Sequence, residues 1–294
     1  DWSSDVCSSD LVTEPLSMAR HQNLPGKVRV WNDENIEGLE RWAAAVNEHG
    51  SLLLGQIQDA GRGRHADGRH VDAVGASVLP DDISWSVPHA LSVAEIESMI
   101  AGFAQSSARL KRCGFAGVEI SAGHGHMFHQ FLSPRSNVRT DKYGGDWPNR
   151  TRLLTELIAA IRAACGNDFI IGVKLPGNDG MPGSIGPREA PLVAQLVTAP
   201  RNIDYVCFAH GTHGRSLEMH VPDGNGPRMP YVPLMRELRA AVNGTPVAAL
   251  GRITDPAEAD TLIANGDAEL VAMGRTLVCD PAWPLKAEIG RAHV

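Results

Sequence analysis

The chain is 294 residues long, 43% hydrophobic and 21% charged, with a formal net charge of −7. Such a composition belongs to an ordinary globular protein with one large core, and its mildly acidic balance gives no electrostatic basis for binding nucleic acid or an anionic membrane. No apolar run approaches the ~20 residues of a membrane-spanning helix, and the first residues lack the pattern of a secretory signal.

In chain order, residues 1–11 (DWSSDVCSSDL) have no apolar period and back-translate into a common sequencing adapter, as residues 288–294 (EIGRAHV) do in the opposite sense. Both segments are expected to be adapter-derived and to stand outside the fold, leaving 12–287 as one partial domain. Without Asp1, Asp5 and Asp10 the net charge becomes −4, Glu288 and Arg291 cancelling. Asn32 or Asp33 is placed to cap a helix in which Ile36, Leu39, Ala43 and Val46 recur at helical spacing up to Gly50. A strand is expected over 51–58, followed by a loop rich in glycine and histidine. Ser92 and Glu95 form a capping box ahead of Ile96, Ile100, Phe103 and Leu110 on one helical face.

Beyond it the pattern predicts a strand at 117–120, a helix at 149–165 and strands at 170–175 and 204–208. A helix at 231–242, a strand at 247–250, a helix at 256–264 and a strand at 270–273 complete it. Strands that alternate with helices imply parallel pairing through helical crossovers, an α/β architecture with six legible strands where a closed (β/α)8 barrel has eight. Cys113, Cys165, Cys207 and Cys279 show neither CxxC spacing nor pairing logic. They fit buried thiols in a reducing, cytoplasmic setting. A small-molecule substrate and a possible homo-oligomer are the partners this class of chain suggests.

Residues 114–145 (GFAGVEISAGHGHMFHQFLSPRSNVRTDKYGG) join a strand to a crowded polar turn with His124, His126 and His129 in six positions. Imidazoles just past the carboxyl end of a strand suit proton handling or ligand binding, although each is also compatible with a packed, hydrogen-bonded role. Lys174 lies within an otherwise apolar strand, so its ammonium needs either a cavity or a carboxylate such as Glu119. Gly251-Arg252 and Gly274-Arg275 follow two consecutive strands. Glycine lets backbone amides approach a phosphate and arginine adds a forked charge, whereas the simpler alternative is a tight turn with a solvated arginine. Gln56 ends a strand, where an exposed amide is the plain reading and a cofactor contact the functional one.

GVEI with its histidine-containing turn, then QFLSP, SNVRTDKYGG and NRTR, resemble the old yellow enzyme family of FMN-dependent oxidoreductases, over residues 12–287. Within it the chain resembles the 2,4-dienoyl-CoA reductase and trimethylamine dehydrogenase branch. The resemblance implies a TIM barrel lacking its first strand and most of its second, with Val12 at the end of the latter. It implies that Gln56 hydrogen-bonds the flavin ring and that Lys174 stands where the family carries arginine near flavin N1 and O2. Gly251, Arg252, Gly274 and Arg275 would hold the phosphate. His213 resembles the proton donor of dienoyl-CoA reductases, and His126 takes the place of the usual tyrosine acid. Ser121, His124 and His126 replace the family's His, Asn or His, and Tyr, so substrate handling departs from the usual pattern.

His129 and His210 read as structural. FMN is the implied cofactor and NAD(P)H a possible electron donor. An iron-sulfur cluster and FAD are possible in further C-terminal domains. The implied chemistry is reduction of an activated C=C bond or oxidative N-dealkylation of an amine. A different class stays open: a metal-dependent hydrolase on the same fold, with His124, His126 and His213 as zinc ligands. A chain lacking the strands that back the flavin could also be inert.

Overall fold

The computed structural model describes residues 10–20, 27–63 and 73–288. The expectations for most of both adapter-like ends, and for part of the loop rich in glycine and histidine, lie outside them. The elements begin with β1 (Leu11–Ser17), α1 (Ile36–Asn47), β2 (Leu53–Gln58), β3 (Val74–Gly75), β4 (His89–Ala90), α2 (Val93–Arg112) and β5 (Gly117–Ser121). They continue with α3 (Met127–Leu132), α4 (Trp147–Cys165), β6 (Ile170–Asn178), α5 (Ala190–Thr198), β7 (Tyr205–His210) and α6 (Leu217–His220). The last are α7 (Val232–Arg239), β8 (Val247–Ala249), α8 (Pro256–Ala264), β9 (Leu270–Val271), α9 (Arg275–Cys279) and α10 (Trp283–Glu288).

Seven strands form one sheet in the order β1-β2-β5-β6-β7-β8-β9, every pair parallel. This is the parallel sheet that the alternation implied and the incomplete (β/α)8 barrel that the resemblance implied, and all six expected strands are present. The seventh, β1, runs for seven residues where the resemblance implied only the end of a strand at Val12, and it includes Leu11, expected to stand outside the fold. Its ladder explains the difference, since the Leu11 amide donates to the Leu52 carbonyl at 2.8 Å and Asp10 accepts from the Leu52 amide at 2.9 Å.

The helices form where their ends are capped and one face is apolar. Ser92 accepts from the Glu95 amide at 3.3 Å while Glu95 accepts from the Ser92 amide at 2.7 Å, the reciprocal capping box. Asp146 caps α4, with Pro148 in the first turn and Gly166 closing it at φ 81°. The expected cap of α1 is not made: Asn35 precedes the helix without capping it, its amide donating instead to the Arg29 carbonyl at 3.0 Å, and Asp33 accepts from Arg109 Nε at 2.6 Å. A long-range cation outcompetes the local amides. Cys113, Cys165 and Cys207 are buried thiols, as expected, but Cys279 on the short α9 is exposed.

The sheet presents two unlike faces. Toward the helices, Val118 and Ile120 are fully buried, and a Cβ on Gly55 would meet Leu110 of α2 at 2.8 Å. Side chains alternate along strands, so Gln56, Glu119 and Ser121 point the other way, into the barrel. The register lines up Gln56, Glu119, Gly172 and Tyr205 on four adjacent strands, with Ser121, Lys174 and Cys207 in the next layer toward the carboxyl ends. Gly172 makes this row possible, since a Cβ there would lie 2.1 Å from the Tyr205 ring.

Gly172→Ala should therefore destabilise the protein by about 1–3 kcal/mol through overpacking. Gly38→Ala, in α1 with open space around it, should be neutral or stabilising by up to about 1 kcal/mol. Denaturant midpoints of the two variants check this, and equal midpoints would contradict the packing assignment.

Candidate active site

Glu119 is 6% exposed and collects four donors inside the barrel, the weakest of them the Cys207 thiol, whose Sγ lies 4.0 Å from Oε2. Gln56 Nε2 donates to Oε1 at 2.9 Å, Tyr205 Oη donates to Oε2 at 3.0 Å, and Lys174 Nζ lies 3.1 Å from Oε1. Burial alone would raise the Glu119 pKa, but Lys174, Gln56 and Tyr205 outweigh it and hold the carboxyl below its ordinary value. Burial likewise opposes the Lys174 charge, and Glu119 overcomes it, so the ammonium is held above its ordinary value. Burial, followed by Glu119, pushes the Cys207 thiol up and keeps it protonated. The carboxylate alternative for Lys174 is thus present in the structure, and Gln56 joins the same cluster.

The second group of residues lies on the loops above β5 and β7. His124 adopts φ 63° and Gly125 φ 86°, a tight left-handed turn that an L-residue enters only when held. What holds it is His129, whose Nδ1 accepts from the Gly125 amide at 2.6 Å while Nε2 lies 2.9 Å from Asp179 Oδ2. With Nδ1 as acceptor, the proton resides on Nε2 and is donated to Asp179. Ile185 N and Ser184 Oγ also donate to that oxygen. The structural reading of His129 is therefore correct, and it positions its neighbours. His210 packs flat against Tyr231 at 4.2 Å between ring centroids, also a packing role.

An isolated parallel bridge from His124 to Thr212, with the His213 amide donating to the His124 carbonyl at 3.1 Å, draws the two loops together. His124, His126 and His213 consequently converge as expected, with centroid separations of 6.4, 6.2 and 4.9 Å. A fourth ring, His220 on α6, lies 3.7 Å from His124 and 4.6 Å from His213. The sequence offers no signal for it, because α6 is a single turn without a periodic signature. Burial, with mutual repulsion and the Lys174 charge, holds His124 well below the usual imidazole value. Burial and His213 hold His126 at about 3 and His220 at about 4. His124, His126 and His213 line a cavity together with Arg62, Arg135 and Met181. Lys174 and Gln56 lie outside that lining, in the barrel row. Ser121 is buried and contributes no imidazole there.

The third group is at the ends of β8 and β9. Gly251 (φ 104°) and Arg252 (φ 55°) form a left-handed pair, and a Cβ on Gly251 would strike the Tyr231 ring at 2.6 Å. Gly274 is not in that conformation, so the two Gly-Arg pairs differ locally, but open space surrounds its Cα. Both arginines reach one loop: Arg252 donates to the carbonyls of Gly224, Gly226 and Pro227, and Arg275 to Pro222 at 3.1 Å. Among the described residues neither guanidinium meets a carboxylate, so both charges are available to an anion.

Among the described residues, the histidine cluster included, no three His, Cys, Asp or Glu side chains are arranged to hold a metal ion. No helix of the described residues is long and apolar enough to cross a membrane.

A family model described as the NADH:flavin oxidoreductase / NADH oxidase family matches residues 10–293, and the chain belongs to that family of flavin- and NAD(P)H-linked oxidoreductases. It is 36% identical to a metal reductase of Desulforamulus reducens, over 95% of this chain and 41% of that protein. It is 32% identical to an NADH oxidase of Thermoanaerobacter brockii, over 92% and 42%. Among solved structures it resembles a 2-naphthoyl-CoA reductase in complex with 2-naphthoyl-CoA, with a TM-score of 0.86 and 25% identity over 96% of this chain and 45% of that one. The chain thus spans less than half the length of these relatives. Family membership overturns the metal-hydrolase alternative for His124, His126 and His213.

The depressed imidazoles predict a pH dependence. His126, His210 and His220 bind protons more weakly folded than unfolded, with folded values of about 3, 4 and 4 against a usual 6.5. Between about pH 4 and 6.5 the unfolded chain therefore holds more protons, and stability falls as pH drops through that window and is flat above it. Denaturant unfolding from pH 8 to 4.5 should show this loss, with a shallower slope in His220→Gln. A pH-independent stability would contradict the buried neutral cluster.

Proposed function

We propose that this chain is the FMN-binding barrel of an oxidoreductase that moves a hydride between a reduced nicotinamide and a small organic substrate. The observation that carries the reading is the charge layout across adjacent strand ends: a buried ammonium and amide on β6 and β2, and two guanidiniums beyond β8 and β9 satisfied only by neutral carbonyls. That donor set fits a flavin mononucleotide, with Gln56 and Lys174 for the ring and Gly251, Arg252, Gly274 and Arg275 for the phosphate. A bound FMN supplies the hydride acceptor and donor at N5.

The chain's own residues supply the rest. His124 and His126, held in register by His129 and Asp179, present neutral imidazoles to the cavity, where an N–H can polarise a substrate carbonyl. His213 lies 4.9 Å from His126 between centroids and is the group assigned to deliver the proton in reduction of a carbonyl-conjugated C=C bond. A second reading is oxidative N-dealkylation of an amine. The depressed values of His126 and His220 are compatible with it, because neutral rings do not repel an alkylammonium substrate. A cytoplasmic enzyme that associates with itself, and whose full length carries an iron-sulfur cluster and FAD in further domains, accords with this reading.

The flavin-loaded protein should be yellow with one FMN per chain and should oxidise NADH or NADPH in the presence of an enone. Colourless protein after incubation with FMN would sink the reading. Turnover of N-methylamines without enone turnover would select the second reaction over the first. His213→Gln should lower enone turnover by roughly 10²–10⁴-fold while leaving reduction of the flavin by nicotinamide intact. Equal loss in both half-reactions would remove His213 from the proton-donating role.

A further inference from the structure

The buried carboxylate of Glu119 is used by neither the hydride nor the proton step, although it lies at the centre of the barrel row. Both of its oxygens are engaged: Oε1 by Gln56 and Lys174, Oε2 by Tyr205 and the Cys207 thiol. Each of these contacts is enforced from elsewhere. The register sets Gln56 and Glu119 side by side, Gly172 lets the Tyr205 ring cross β6, and Lys174 is two residues further along the same strand. We propose that Glu119 is the positioning residue of the flavin site: it fixes the Gln56 amide with its carbonyl free, and it offsets the Lys174 charge and so limits how strongly the barrel favours reduced flavin.

The inference rests on the flavin reading above and adds two physical consequences to it. First, an amide with one N–H committed to a carboxylate is fixed in orientation, so Gln56 presents its oxygen in a set direction as an acceptor, matched to a ring N–H, and keeps its second N–H as a donor. Second, two-electron reduction of a flavin at neutral pH leaves net negative charge on the ring system. A nearby ammonium favours that state and a nearby carboxylate opposes it, strongly so in a buried setting. The site thus holds a cation matched by its own counter-ion. A purely structural ion pair would give the same hydrogen bonds but no dependence of the flavin equilibrium on the sign of the charge removed.

The test is the two-electron midpoint potential of bound FMN in the wild type and in Glu119→Gln and Lys174→Met, by dye-equilibrated reduction. Removing the carboxylate should raise the potential and removing the ammonium should lower it. Each change should shift the oxidised-to-reduced ratio at least tenfold, which is about 30 mV for a two-electron couple. The charge-keeping Glu119→Asp and Lys174→Arg should stay within that margin. Shifts of the same sign, or no shift, would overturn the proposal while leaving the flavin reading in place. Wild-type protein that binds no FMN would overturn both. If Glu119→Gln does not fold, Lys174→Met against Lys174→Arg decides: a potential no lower in the former refutes the charge offset.

Discussion

A carboxylate and an ammonium 3.1 Å apart inside a parallel sheet constrain most of what surrounds them. Withdrawing two such ions from water costs several kcal/mol each before their attraction and added hydrogen bonds compensate. The compensation for Glu119 requires Gln56 from β2, Lys174 from β6 and Tyr205 from β7 in one register. A one-residue slip of any of these strands would turn its contributing side chain toward the helices, where Leu110, Phe115 and Ile120 leave no polar partner. The ion pair therefore ties the strand register to the polar interior of the barrel.

From that row the site is built upward in layers. Ser121, Lys174 and Cys207 occupy the next level, and the loops that leave β5 and β7 bring four histidines together above it. The Lys174 charge is felt there, contributing to the depressed values of His124 and His220. The His129–Asp179 pair supplies the rigidity, holding a left-handed turn at Gly125 and at His124, where an L-residue is strained. At the far strand ends, two arginines share one loop and, among the described residues, neither pairs with a carboxylate.

Much of the fold was legible because its signals are local and periodic. Helix 256–264 was bounded correctly by its aspartate and proline, and the Ser92–Glu95 box by its spacing. The signals that failed were those in which a distant partner won. Asp33 left its capping role for Arg109, and Leu11 joined a strand because Leu52 offered a backbone carbonyl. Of the site, His124, His126 and His213 could be found from their clustering past strand ends. His220 lacked any pattern of its own. The centrality of Glu119 is a property of register across four strands and is invisible in the tetrapeptide GVEI, although Lys174 in an apolar strand already demanded a partner of that kind.

The proposed flavin site spans the barrel row and the two arginines. A crystal structure of the protein with FMN bound tests it most directly. The expected result is the ring against Gln56 and Lys174, with Glu119 still bridging them, and the phosphate on Arg252 and Arg275 in place of the carbonyls at 222–227. A ring bound away from Lys174, or a phosphate held while both arginines keep their carbonyl partners, would contradict it.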